Sequence, residues 1–166
     1  MTRSVSGKVA SLHLHPHEPG EPLTAVQSIE LVEGKGIPGD PRYFGRVSKS
    51  TAKPSRRQVT LIEREQIAEH AATLGLHSIA PGTVRSNIET AGIDLISLIG
   101  REVQIGNAVL LFYAPRDPCE KMDAICQGLR EQMMNNRQGV LAEVVRGGLV
   151  QVGDEIVPVS SLAIGP

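Results

Sequence analysis

Cys119 stands in the run Arg116-Asp117-Pro118-Cys119-Glu120, the most chemically loaded stretch of the chain. Asp117 is a good N-cap. Pro118 suits the first helical position, where its missing N–H has no partner to lose, and Glu120 falls three residues after the cap, as in a capping box. The pattern predicts a helix starting near Pro118, with Cys119 in its first turn. Unpaired backbone N–H groups and the positive end of the helix dipole favour a thiolate there, the form that attacks electrophiles and binds metals. Arg116 adds to that stabilisation, while Asp117 and Glu120 oppose it. A buried, inert thiol fits the same run, and the run alone does not decide. Cys126 shares an apolar stripe with Met122, Ile125 and Leu129 and reads as core. The spacing of the two cysteines matches no zinc or redox pattern.

A second stretch, Pro41 to Arg57, carries Arg42, Arg46, Lys49, Lys53, Arg56 and Arg57 and no acid. A loop this long inside a compact domain is functional or disordered. It is either a flap whose guanidinium groups hold an anionic ligand or a mobile, solvated strip. Gly34-Lys35-Gly36-Ile37-Pro38-Gly39 formally matches a dinucleotide fingerprint, but Pro38 and Asp40-Pro41 argue against the helix that such a site must open, so the glycines read as a tight turn. His13 and His15 alternate onto one face of a strand. They read as a solvent-facing pair on a half-buried strand, since no acidic or cysteine partner is evident to complete a metal site.

The elements that must position these residues are mostly strands. Val5 to Leu14 and Leu23 to Val32 alternate in polarity, and Val59 to Ile62 is a short apolar run. Val103 to Ile105 and Ala108 to Tyr113 flank Gly106-Asn107, and Val140 to Val145 and Leu149 to Val157 flank Gly147-Gly148; both read as hairpins. Two helices are expected. One covers Glu63 to Leu74, ending at Gly75; the other starts near Pro118 and weakens at Gly128. Many short strands with regular turns predict a mostly β barrel or sandwich with a few short helices.

The 166 residues fit one domain spanning 1–166, and the formal net charge of -1 offers no bulk attraction to nucleic acid or acidic membrane. Two Tyr, two Phe and no Trp leave no base-stacking platform. No apolar run reaches the roughly 20 residues of a membrane span, and the first residues lack a signal peptide's core, so a cytoplasmic location is expected. Twelve Arg against five Lys suits bidentate recognition of anions, or reflects nothing more than base composition.

Taken in order, several segments resemble the MOSC family, the domain found at the C-terminus of molybdenum cofactor sulfurases. Gly34 to Asp40 followed by Arg42-Tyr43 resembles its G-D-R-Y turn, with Pro41 interposed. Arg57 to Ile62 resembles its R-Q-V-T-L-I strand entry, and Pro81-Gly82 with Arg85-Ser86-Asn87-Ile88 its P-G and R-x-N-I segments. Pro118-Cys119, Gly147-Gly148 and Val152-Gly153-Asp154 follow in family order. The resemblance runs from about Lys8 to Ile156.

It implies a barrel-like fold and a molybdenum cofactor, molybdopterin, held in a positively charged cleft. It implies that Cys119 is the catalytic thiol, carrying sulfur or ligating molybdenum. Arg57, Arg85 and Asn87 are the matching polar residues that would line the cleft, and Asp40, Arg42 and Arg56 join them as implied cofactor-binding residues. Two features depart from the family. Many relatives have a second cysteine where Arg116 stands, which argues against a two-thiol mechanism. The chain also lacks the pyridoxal-phosphate cysteine-desulfurase domain of full sulfurases and any ferredoxin-like segment, so sulfur or electrons would come from a separate cysteine desulfurase or electron-donor protein.

Three functions are consistent with these residues. The first is a molybdenum-cofactor-dependent oxotransferase or reductase of small N-oxygenated compounds. The second is a sulfur carrier using a Cys119 persulfide. The third is a non-catalytic barrel binding an anionic metabolite.

Overall fold

The computed structural model describes residues 6–159. Its strands are β1 (Gly7–Leu14), β2 (Thr24–Val26), β3 (Ser28–Leu31), β4 (Val59–Glu63), β5 (Ile88–Ala91), β6 (Glu102–Ile105), β7 (Ala108–Pro115), β8 (Val140–Arg146), β9 (Gly148–Gln151) and β10 (Glu155–Pro158). The helices are α1 (Arg64–Thr73), α2 (Lys121–Ile125) and α3 (Leu129–Gln132), with one 3-10 turn at Ile96–Leu98. Strands β10, β6, β7, β8, β4, β5 and β1 pair in that order, and β1 pairs back to β10, so seven strands close into a barrel. Closure removes every free sheet edge from the barrel except where β2 adds alongside β1.

Strand alternation sorts the side chains into two apolar clusters. Leu12, Leu61, Ile88, Leu110, Phe112 and Val140 fill the barrel. Ile62, one residue on from Leu61, turns outward and packs with Ile67 and Ala71 of α1 and with Met122, Leu129 and Met133 of the α2–α3 region. This second cluster explains why β4 is buried on both faces. It also explains its pairing: β4 and β5 are parallel, and α1 makes the crossover that parallel strands require. Helix α1 closes with Leu76 N–H donating to Ala71 O (2.8 Å) and Gly75 N–H to Ala72 O (3.2 Å), the two bonds of a Schellman turn.

The expected hairpin at Gly106-Asn107 is present, with Ile105 opposite Ala108. The one expected at Gly147-Gly148 is not. Strand β8 stays in the barrel, whereas β9 leaves it to pair with β3, covering the core with Ile29, Leu31 and Val150. Those glycines serve close approach: a Cβ at Gly147 would stand 2.5 Å from Leu31 O, and one at Gly148 2.5 Å from Asn107 O. The apolar run Leu23 to Val32 breaks at Gln27 into β2 and β3. The helix predicted near Pro118 is also broken, because Gly128 takes a φ of 92° between α2 and α3. Val5 lies outside the described residues. No helix among them is long and apolar enough to cross a membrane.

Gly139, just before β8, has a φ of +81°, and an added Cβ would overlap the Leu61 carbonyl oxygen. Gly139→Ala should therefore cost about 3 kcal/mol or more. Gly100→Ala, at a φ of +90° with open space around it, should cost only about 1–2 kcal/mol. Urea midpoints at unchanged slope will separate the two.

Candidate functional site

The turn after β3 delivers Asp40 to the barrel rim, where it is only 1% exposed. Its Oδ2 accepts from Asn87 Nδ2 (2.7 Å) and pairs with His15 Nδ1 (2.8 Å), and Oδ1 accepts from Arg42 N–H (3.0 Å). Asn87 is itself saturated: its Oδ1 accepts from Thr60 N–H (3.1 Å), and its Nδ2 also reaches His13 O (3.1 Å). One network thus fastens β1, β4, the start of β5 and the Asp40 turn together. Burial alone would raise the Asp40 pKa, but the His15 bond and charge and the Asn87 donor outweigh it, and the pKa falls below 3.8.

Beside this network opens a cavity of about 380 Å³. Its walls carry six cations: Arg42, Arg46, Arg57, Arg85, Arg116 and Lys121. Asp117 is the one acid among the lining side chains. None of the six is ion-paired among the described residues. Arg116 is only 8% exposed, and it leans on Ser86 Oγ (3.1 Å) and Arg85 O (3.4 Å). Burial depresses its pKa, Arg57 and Arg42 add to the depression, and Tyr43 and Cys119 oppose it. Tyr43 lies edge-on to His15 at 5.2 Å, with the Arg42 and Arg57 guanidinium carbons 5.8 and 5.4 Å from its ring centre. Burial would raise its phenol pKa. Arg116 and Arg57, with hydrogen bonds from Arg42 and Arg57, bring it below 10.0 instead. Cys119 is exposed at the wall of the same cavity.

The family model described as the MOSC domain matches residues 29–157. The chain belongs to the MOSC family. YuaD of Bacillus subtilis (strain 168), which carries a metal-sulfur cluster biosynthesis name, is 29% identical over 144 residues, covering 73% of this chain and 74% of YuaD. The crystal structure of Bacillus subtilis YuaD superposes with a TM-score of 0.74 at 23% identity, over 91% of this chain and 94% of that one. YiiM from Escherichia coli gives a TM-score of 0.65 at 20% identity, over 96% and 71% of the two chains. YiiM from Geobacillus stearothermophilus gives 0.69 at 16%, over 93% and 75%. At these identities the structures speak for the fold.

The MOSC barrel brings Cys119, Arg42, Arg57 and Arg85 to one cavity and keeps three other expected residues away from its wall. Asp40 and Asn87 lie beneath it, their polar atoms engaged in the rim network. Arg56 lies outside, paired with Glu143 (3.0 Å) and stacked 4.3 Å over Tyr113. The basic segment is ordered into a small excursion by Ser48 N–H to Lys53 O (2.8 Å) and Ser55 N–H to Arg46 O (2.8 Å). It contributes Arg42, Arg46 and Arg57 to the cavity and leaves Lys49 and Lys53 at its tip. The Gly34 to Gly39 stretch is the expected tight turn.

Two local expectations are corrected. His13 and His15 are buried, not solvent-facing, because the acid that pairs with His15 comes from Asp40, distant in sequence. Helix α2 begins at Lys121, so Cys119 precedes it. Glu120 occupies the cap position with no side-chain cap bond, and Cys119 O accepts from Met122 N–H (3.0 Å). The capping box does not form, and a five-residue helix cannot supply the dipole expected for the thiol. Positive charge reaches it from Arg116 instead. Among the described residues no three His, Cys, Asp or Glu side chains gather as metal ligands.

The environments of the two tyrosines make a direct test of this electrostatic picture. Burial raises the Tyr113 phenol above 10.0, while Tyr43 falls below it. With no Trp and only these two Tyr, absorbance titration at the phenolate band should resolve two steps straddling 10.0. Tyr43→Phe should delete the lower step and Tyr113→Phe the upper.

The depressed Asp40 carboxyl sets an acid limit. Its contribution is complete above the ordinary value of 3.8 and is lost as pH falls through the lower folded value. Asp40→Asn should cost about 1–3 kcal/mol near neutral pH and flatten the acid limb of a stability–pH profile.

Proposed function

We propose that the cavity binds a pterin molybdenum cofactor and that the protein reduces small N-oxygenated compounds. The observation that carries this reading is Arg116: a guanidinium buried without a carboxylate, on the same cavity as an exposed thiol. The residues fit the group. Arg42, Arg57 and Arg116 suit its phosphate, since guanidinium forks match phosphate oxygens. Cys119 supplies a soft sulfur suited to molybdenum. No three-residue metal cluster exists among the described residues, so Cys119 would complete the coordination of a metal that arrives with ligands of its own.

When bound, the cofactor supplies the redox chemistry. The chain supplies positioning and protons. Reduction of an N-hydroxyl compound breaks the N–O bond, takes up two electrons and two protons, and releases an amine and water. The electrons come from a separate electron-donor protein. Tyr43 Oη, made more acidic by its arginine neighbours, gives one proton to the leaving oxygen, and water entering the cavity returns that proton and supplies the second.

A second reading rests on the exposure of Cys119 and on the name of the YuaD relative. In it Cys119 takes a sulfane sulfur from the persulfide of a cysteine desulfurase, which regains its thiol, and hands that sulfur on without a bound metal.

Protein expressed in a host that makes the cofactor should carry close to one molybdenum per chain, and Cys119→Ser should lose most of it. Metal-free protein that is fully active on N-hydroxylated substrates would overturn the first reading. Under the second, incubation with a desulfurase and cysteine should add one sulfur mass to the protein, absent in Cys119→Ser.

A further inference from the structure

The charge on the cavity wall exceeds what the proposed cofactor requires. Six Lys and Arg side chains face one carboxylate there, in a chain whose net charge is -1. The six also divide by environment. Arg42, Arg57 and Arg116 act on Tyr43, whose buried ring gathers them. Arg46, Arg85 and Lys121 have no such tie to Tyr43. Arg46 Nη2 donates to Pro41 O (3.3 Å) and Arg85 Nη1 to Glu21 O (3.0 Å), so each is steered by a neutral carbonyl and not by a carboxylate.

Arg85 shows that this outer group is built. Its φ is +67°, a left-handed conformation that a side chain rarely adopts. The twist turns its carbonyl toward Arg116 and sends its side chain to Glu21, beside the Pro16–Gly20 stretch that forms part of the cavity wall. Strain of this kind persists where the surrounding structure holds it, and it clusters at ligand sites.

We propose that the cavity has a second anion subsite, formed by Arg46, Arg85 and Lys121, and that the substrate is a small acid whose carboxylate or phosphate it holds. The inference rests on the cofactor reading for the assignment of the inner group. A cofactor phosphate is a dianion, and Asp117 adds one negative charge on the same wall. Together they leave about half of the six cations unmatched, and like charges crowded on one wall repel unless an occupant neutralises them. A substrate acid group on the outer cations would leave its N–O end free to point toward Cys119 and Tyr43. A neutral substrate would use none of this charge.

The test uses the full chain without cofactor and inorganic phosphate at low salt, followed by titration calorimetry. Two phosphates per chain are expected. Arg46→Gln with Lys121→Gln should leave one, and Arg57→Gln should lose the other. Arg56→Gln, outside the cavity, should keep both. With cofactor-loaded protein, a carboxylate-bearing N-hydroxy compound should show a KM at least tenfold below that of its neutral amide, and the double variant should erase the difference. A single phosphate in the parent, two in the double variant, or equal KM values for acid and amide would overturn the inference. Molybdenum content reports separately on the cofactor reading, so failure of one is distinguishable from failure of the other.

Discussion

Asp40 carries a full charge where there is almost no solvent, and the cavity is arranged around how that charge is satisfied. Its two oxygens take His15, Asn87 and the Arg42 backbone, and Asn87 in turn takes Thr60 and the His13 carbonyl. The His15, Asn87 and Thr60 donors are buried, so each would carry a desolvation cost without its acceptor. The consequence is geometric. His15 can lie edge-on to Tyr43 only because Asp40 fixes its ring, and Tyr43 is the ring around which Arg42 and Arg57 collect. A single carboxylate below the floor therefore sets the position of cations it does not neutralise.

Arg116 shows how such cations are tolerated. A buried guanidinium with no counter-ion is costly. Here Ser86 Oγ, the Arg85 carbonyl and the Tyr43 phenol share the load. The Ser86 hydroxyl and the Arg85 carbonyl are neutral, so the site keeps a positive potential that an anionic occupant can use. The second apolar cluster supports the opposite wall. Met122, three residues after Cys119, is buried against Leu129 and Met133 and anchors the chain that presents the thiol.

The order of MOSC motifs, the barrel class and the cysteine were legible in the sequence because they depend on local pattern and composition. Alternation gave the strands, and Gly75 gave the end of α1. What the sequence did not disclose depended on contacts between distant segments. His13 and His15 looked solvent-facing because the carboxylate that justifies burying His15 lies 25 residues on. Gly147-Gly148 looked like a hairpin because the close approach that requires small residues is to Leu31 and Asn107, on other strands. Arg56 and Arg57 are indistinguishable by type, yet one meets Glu143 outside the barrel and the other Tyr43 within the cavity. Asn87 carried the right motif position and a different task, since its hydrogen-bonding capacity is spent on the rim network. Tyr43 was visible only as part of a motif; its importance comes from three arginines converging on one phenol.

The thiol and Arg116 together narrow the chemistry available at the site. At position 116 this MOSC protein has a buried cation, and Cys126 packs against the second apolar cluster, not at the cavity wall. Internal disulfide exchange at Cys119 therefore has no second thiol on the wall to work with. Both proposed readings have that sulfur bind or carry something brought to it. The surrounding charge favours an occupant that is anionic, and the shortage of other metal-ligating side chains favours one that brings its own coordination. A pterin cofactor with a phosphate meets both conditions, whereas a bare metal ion meets neither. A persulfide is more acidic than the thiol that carries it, so a sulfur atom carried on Cys119 meets the first condition as an anion in its own right, with no metal and no further molecule in the cavity.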